Sequence, residues 1–245
     1  MEKPVSFYSE GKRIFANLSL PREGAPGVLF SHGLEGSKDG TKWLILASRL
    51  SDSGYASLRF SYRGCGEVPE RSEGDPRDST LTERIKDYRT AIAYLQGTRA
   101  NPERLGVIGS SFGGMTALAA HDPRVKVIVC LATPSRMPEM LGGVAAAQKD
   151  SEWVEFRGGR LQRSIYEDTA RYNICEAVKD IRCPLLIIHG GADEVVPVDN
   201  AHEIYRSASE PKRLVVVEGG NHSFTEPDHL ERVVVLVLEW LDRYL

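Results

Sequence analysis

Short apolar runs rich in β-branched residues alternate with longer stretches of helical period along most of the 245-residue chain. The runs at 27–31, 55–60, 104–109, 125–131, 184–189 and 213–217 lack polar alternation, so they read as strands covered on both faces. Between them a 3.6-residue period predicts helices over 41–53, 81–96, 111–120, 198–207 and 227–245, with Gly54 and Gly97 at two of the expected stops. The opening differs: 5–8 and 14–20 flank Ser9-Glu10-Gly11-Lys12 and predict a hairpin. Strand–helix alternation with right-handed crossovers predicts an α/β class, a doubly wound and mostly parallel sheet with helices on both faces. Such a sheet places its site beyond the carboxyl ends of its strands. From 135 to 172 the alternation stops, and Met, Gly, Arg, Glu and aromatics take over. No strand is expected there; the segment reads as an insertion with its own helices, a lid within a single domain spanning 1–245.

Bulk properties narrow the classes. Apolar residues make up 41 %, and 23 glycines bring the total near the globular norm, enough to cover both faces of a large sheet. A net charge of −3, with both signs interspersed, gives no field for nucleic acid or anionic membrane. The longest apolar run, 233–238, is too short to span a bilayer, and the first residues do not form a signal peptide. Cys65, Cys130, Cys175 and Cys183 are scattered, without metal-ligand spacing, and read as reduced thiols of a cytoplasmic protein.

The candidate chemistry starts at Gly109-Ser110-Ser111-Phe112-Gly113-Gly114, which joins a strand to a helix with almost no connecting residues. A turn this tight strains its apex, and glycines two before and two after Ser111 admit neighbouring backbone. The hydroxyl of Ser111 is thereby offered at a helix N-terminus, as a nucleophile. The Gly-Lys-Ser/Thr ending of a phosphate loop is absent. A serine needs a base and an orienting carboxylate. His222, in Gly219-Gly220-Asn221-His222 after the last strand, is the expected base. Asp193, at another strand end, is the expected carboxylate, with Glu194 its competitor and a helix cap its bland alternative. The N–H groups of Phe112 and of Leu34, in the loop Ser31-His32-Gly33-Leu34, are the expected oxyanion donors. His32 is expected to order that loop, and His189 to support Asp193. Leu34 and Phe224 are expected in the substrate pocket, joined by Trp153, Phe156 and Tyr166 of the insertion unless those aromatics form its own core.

Together His32-Gly33, Arg63-Gly64-Cys65-Gly66, Gly109 to Gly114, Gly191 to Pro197 and Asn221-His222-Ser223-Phe224 resemble the α/β-hydrolase superfamily. Within it the chain is similar to the small serine esterases grouped with serine aminopeptidases and cinnamoyl (feruloyl) esterases. The resemblance implies an eight-stranded sheet with its second strand antiparallel, a lid between strands six and seven, and no cofactor or metal. Glu67 departs from the serine common after the Arg-Gly-x-Gly turn, and Phe112 stands where several cinnamoyl esterases have glutamine. The expected function is hydrolysis of carboxylic esters of small or medium acyl groups through an acyl-enzyme, on a small-molecule ester substrate. Three alternatives stay open: a thioesterase, a short-peptide hydrolase holding an α-amino group on Glu139, Glu152, Glu155 or Glu167, and a non-catalytic binding protein. Self-association into a homodimer through the apolar C-terminal helix is also left open.

Overall fold

In a computed structural model the structure describes residues 2–137, 145, 147, 148, 150–156 and 159–245. The first hairpin pairs β1 (Glu2–Ser9) with β2 (Lys12–Ser19) in antiparallel register from Glu2↔Ser19 to Ser9↔Lys12. Its two turn residues, Glu10 and Gly11, both have positive φ, which matches the twist of the flanking strands. β3 (Pro26–Ser31), β4 (Ala56–Phe60), β5 (Asn101–Ser110), β6 (Val125–Leu131), β9 (Leu185–Gly190) and β10 (Lys212–Val217) complete an eight-stranded sheet. The strand order is β1-β2-β4-β3-β5-β6-β9-β10. β2 runs antiparallel to both its neighbours, and every other pair is parallel.

Helices cover both faces because side chains alternate along the central strands. Val28 and Phe30 of β3 join Ile108 of β5 on one face, against α1 (Thr41–Asp52) and α7 (Pro227–Tyr244). Leu29 and Val107 point to the other face, packed under α2 (Leu81–Gln96), α3 (Phe112–Ala120) and α6 (Asp199–Ser207). α7 buries Val233, Val234, Leu236, Val237, Trp240 and Leu241 in this way. Its apolar spread is therefore taken up by the sheet.

Between β6 and β9 the structure departs from expectation. Trp153–Phe156 (β7) and Gly159–Gln162 (β8) form an antiparallel hairpin, where the sequence predicted no strand. Each strand has four residues and pairs only with the other, so the alternation is too short to register as a pattern. Val154 and Leu161 are buried, one anchor per strand. α4 (Arg163–Thr169) and α5 (Ile174–Ala177) follow. Asp168 of α4 accepts from the Thr82 N–H at 2.8 Å and its hydroxyl at 2.7 Å, tying the insertion to the first turn of α2.

The connections from β3 to β4 and from β4 to β5 leave on opposite sides of β3, so the carboxyl ends of β3 and β5 lie at a topological switch point. The loops after these two strands must approach closely. A Cβ built on Gly113 would stand 2.0 Å from the Ser31 carbonyl oxygen, so only glycine lets α3 begin here.

Candidate active site

Ser111 stands between β5 and α3 with φ 55° and ψ −124°. A non-glycine residue held there stores about 1–3 kcal/mol, which the surrounding structure must offset. Two backbone bonds do so locally: the Ser111 N–H donates to Leu131 at 2.8 Å, and its carbonyl accepts from Met115 at 3.1 Å. The side chain stands at the N-terminal end of α3, where unsatisfied N–H groups favour negative charge. The loop after β3 reaches the same point; a Cβ built on Gly33 would lie 3.9 Å from Ser111 Oγ.

Asp193 lies in the loop after β9, and its side chain is buried. Its Oδ1 accepts from the N–H groups of Val195 and Val196 at 2.9 and 2.8 Å. Its Oδ2 lies 2.8 Å from Nδ1 of His222 and 3.3 Å from Nε2 of His189. Burial works against its charge. The hydrogen bonds from His189, His222 and the Val196 N–H outweigh that, and hold the carboxyl below the usual carboxylate range. Glu194 instead accepts from the main-chain N–H of His222 at 3.4 Å. The imidazole of His222 thus faces Asp193, and the neighbouring carboxylate supports its backbone. His189 is wholly buried, with Nε2 2.9 Å from the Val196 carbonyl, and so braces the same loop.

His32 is buried, and its Nε2 accepts from the Tyr62 N–H at 3.0 Å. The ring proton must then sit on Nδ1, which lies 2.7 Å from the Gly33 carbonyl. Burial, with the Arg84 charge beside it, pushes its pKa down to about 3, so the ring is neutral. Arg84, fully buried on α2, closes round the same loop. Its guanidinium donates to the carbonyls of His32, Gly33 and Leu34 at 3.0 to 3.3 Å. It also lies over the rings of Tyr62 and Phe112, at 4.3 and 5.0 Å. Arg63 is anchored to Asp87 and Glu83 of the same helix, whereas Glu67 is exposed.

Ser111, His222, Leu34, Phe112 and Phe224 line one cavity of about 800 Å³. The Phe112 ring itself is buried in the core. Trp153 lines a smaller neighbouring cavity of about 270 Å³, and Tyr166 packs partly buried against the core. The side chain of Phe156 and all of Glu139 lie outside the described residues. Glu152, Glu155 and Glu167 are exposed and contribute nothing to the cavity lining described here.

Two residues of the site were not foreseen. Arg84 sits three residues after Leu81 and one before Ile85, on the apolar stripe of α2, and a charge in that register is the signal that could have found it. Lys42, the second residue of α1, also lines the large cavity, with Nζ 2.8 Å from Ser110 Oγ. Desolvation there pulls its pKa down to about 8, against the opposing pull of Asp193. Nothing in its sequence context marks it.

Comparison with known proteins agrees with this architecture. Est1E from Butyrivibrio proteoclasticus, solved with ferulic acid bound, superposes with a TM-score of 0.82 at 20 % identity, covering 97 % of this chain and 99 % of that one. The esterase domain of a Rhodothermus marinus protein gives 0.76 at 26 % identity, covering 100 % and 99 %. The mitochondrial palmitoyl-protein thioesterase ABHD10 of Bos taurus is 24 % identical over 238 residues, covering 89 % of this chain and 74 % of that protein. YfhR of Salmonella typhimurium is 30 % identical over 207 residues, which cover 82 % of this chain. Those residues are 66 % of YfhR, so the chain spans just under two thirds of that relative. No helix among the described residues is long and apolar enough to cross a membrane. The sequence pattern of the prolyl oligopeptidase family matches residues 45–245, and with the sheet described above it establishes that the chain belongs to that family of α/β-hydrolases.

Proposed function

We propose that the protein is a serine hydrolase that cleaves carboxylic esters of small or medium acyl groups through an acyl-enzyme. The observation that carries this reading is the 2.8 Å contact of Asp193 with His222 Nδ1, on the wall of a cavity that also holds the strained Ser111. With Nδ1–H donated to Asp193, Nε2 of His222 is left as the acceptor for the Ser111 proton. Ser111 Oγ attacks the carbonyl carbon, and His222 returns the proton to the leaving alcohol. Water then enters by the same route and releases the acid.

The oxyanion that forms needs N–H donors aimed in advance. Phe112 supplies one from the first residue of α3. Leu34 supplies the other, and Arg84 fixes its direction. The Gly33 carbonyl and the Leu34 N–H belong to one trans peptide and point opposite ways, so holding the carbonyl on Arg84 turns the N–H away from it. Arg84 is a positioning residue in this reading. Arg84→Lys keeps the charge and loses the fork that spans three carbonyls. It should lower kcat by about 10- to 100-fold with a smaller change in KM, because the misaligned donor is felt mostly in the transition state. A thermal melt alongside separates misalignment from unfolding, and an unchanged kcat would remove Arg84 from the mechanism.

The insertion contributes Met137 and Arg160 to the cavity wall and acts as its lid in this reading. Thioester hydrolysis is a second reading, favoured by the ABHD10 relative and served by the same acyl-enzyme chemistry. A panel of p-nitrophenyl esters and acyl-thioesters, acetyl to octanoyl, tests both. Turnover of the oxygen esters at the higher kcat/KM is expected. Turnover confined to thioesters would replace the first reading by the second, and none at all would remove both.

A further inference from the structure

One wall of the large cavity carries a positive charge that the chemistry above does not use. Lys42 Nζ donates to the hydroxyl of Ser110, the residue immediately before Ser111, so the ammonium stands one residue from the nucleophile. It lies 5.3 Å from the Trp43 ring and 5.8 Å from the Phe224 ring. Among the described residues its hydrogen-bond partner is a neutral hydroxyl, and no carboxylate stands within ion-pair distance. A partly desolvated cation held by one hydroxyl and two ring faces has only the more distant Asp193 carboxylate, already engaged by His189 and His222, to offset it, and an anion in the cavity would compensate it directly.

The helix that carries Lys42 adds to the same field. α1 has twelve residues, no side chain capping Gly40, and no acidic residue in its first turn. Gly40, Thr41 and Lys42 all line the cavity, so the positive end of the helix faces into it. The acids on the cavity lining are Glu35, exposed in the loop after β3, and Glu194, which accepts from the His222 backbone. Arg160, the other cation of the lining, stacks at 4.2 Å on Trp153.

We infer that Lys42 is a specificity-determining residue that selects esters carrying a carboxylate at the far end of the acyl chain or of the alcohol. The inference rests on the proposed hydrolase reading and names its substrate class: half-esters and their like, in place of neutral fatty esters. The carboxylate takes the Lys42 ammonium as a charge-assisted partner while the scissile carbonyl lies against Ser111.

Matched substrate pairs test this. In the acyl arm, the p-nitrophenyl monoester of adipic acid is compared with its neutral N-methylamide. In the alcohol arm, the butyryl ester of 6-hydroxyhexanoic acid is compared with its N-methylamide. In one arm the wild type should prefer the charged member by about tenfold in kcat/KM, the size of a charge-assisted contact. Lys42→Met should abolish that preference and Lys42→Arg should keep it. A merely structural lysine, holding Ser110, would instead lower both members of a pair by the same factor, and that result overturns the inference. So does a wild type without preference in either arm. Binding of adipic acid mono-N-methylamide to Ser111→Ala protein, with and without Lys42→Met, reads the contact without turnover. A failed hydrolase reading shows as absent turnover with Lys42-dependent binding. A failed carboxylate contact shows as binding that ignores Lys42.

Discussion

Ser111→Ala is expected to lower the turnover of p-nitrophenyl esters by a factor on the order of 10⁶ at the chemical step. The size follows from what the substitution removes. Alanine keeps the Cβ and both backbone bonds of residue 111, to Leu131 and from Met115, so the turn and α3 persist. The hydroxyl oxygen alone is lost, and with it the covalent intermediate. Circular dichroism and the thermal midpoint should stay near those of wild type. The neighbouring Ser110 is not a substitute, because its hydroxyl receives the Lys42 ammonium. Near-normal turnover in the variant would mean that another group attacks.

Asp193→Asn is expected to cost about 10⁴-fold in kcat. Oδ1 accepts two backbone N–H groups, from Val195 and Val196, so the amide oxygen of asparagine must take that side. The amide nitrogen then faces His222 and His189 with donors. His222 can answer only by presenting an unprotonated Nδ1, which moves its proton to Nε2. That is the nitrogen needed to receive the proton of Ser111, so the base is disabled with its geometry intact. The wild-type profile adds a sign test. Because hydrogen bonds hold Asp193 below the usual carboxylate range, it stays ionised throughout the range in which an imidazole ordinarily titrates. The acid limb of kcat/KM should therefore report an imidazole. A loss of activity in Asp193→Asn smaller than tenfold would mean that the tautomer is set elsewhere.

The sheet was legible because its central strands are buried on both faces, and unbroken apolar runs such as 125–131 leave no other fit. α2 was delimited without error because Thr80 caps its start through the Glu83 N–H and Gly97 ends it. Ser111 directly follows β5 between Gly109 and Gly113, and Asp193 and His222 come shortly after the glycine pairs 190–191 and 219–220 at or beyond the ends of β9 and β10, which made all three readable as candidates. The hairpin β7–β8 was not readable, since four-residue strands with a single buried anchor each carry almost no periodic signal. Arg84 and Lys42 were missed for a different reason. A helix pattern says which face is inward and nothing about which loop that face meets. Whether an inward arginine reaches the carbonyls at 32–34, or a first-turn lysine reaches Ser110, depends on how β3 and β5 bring their loops together.

If Ser111 is a nucleophile activated by His222, as proposed, a fluorophosphonate should react with it, and peptide mapping by mass spectrometry locates the adduct. A single adduct on Ser111 is expected in the wild type, and scarcely any in His222→Ala. An adduct on Ser110, equal labelling of the two proteins, or an unlabelled wild type would overturn both roles.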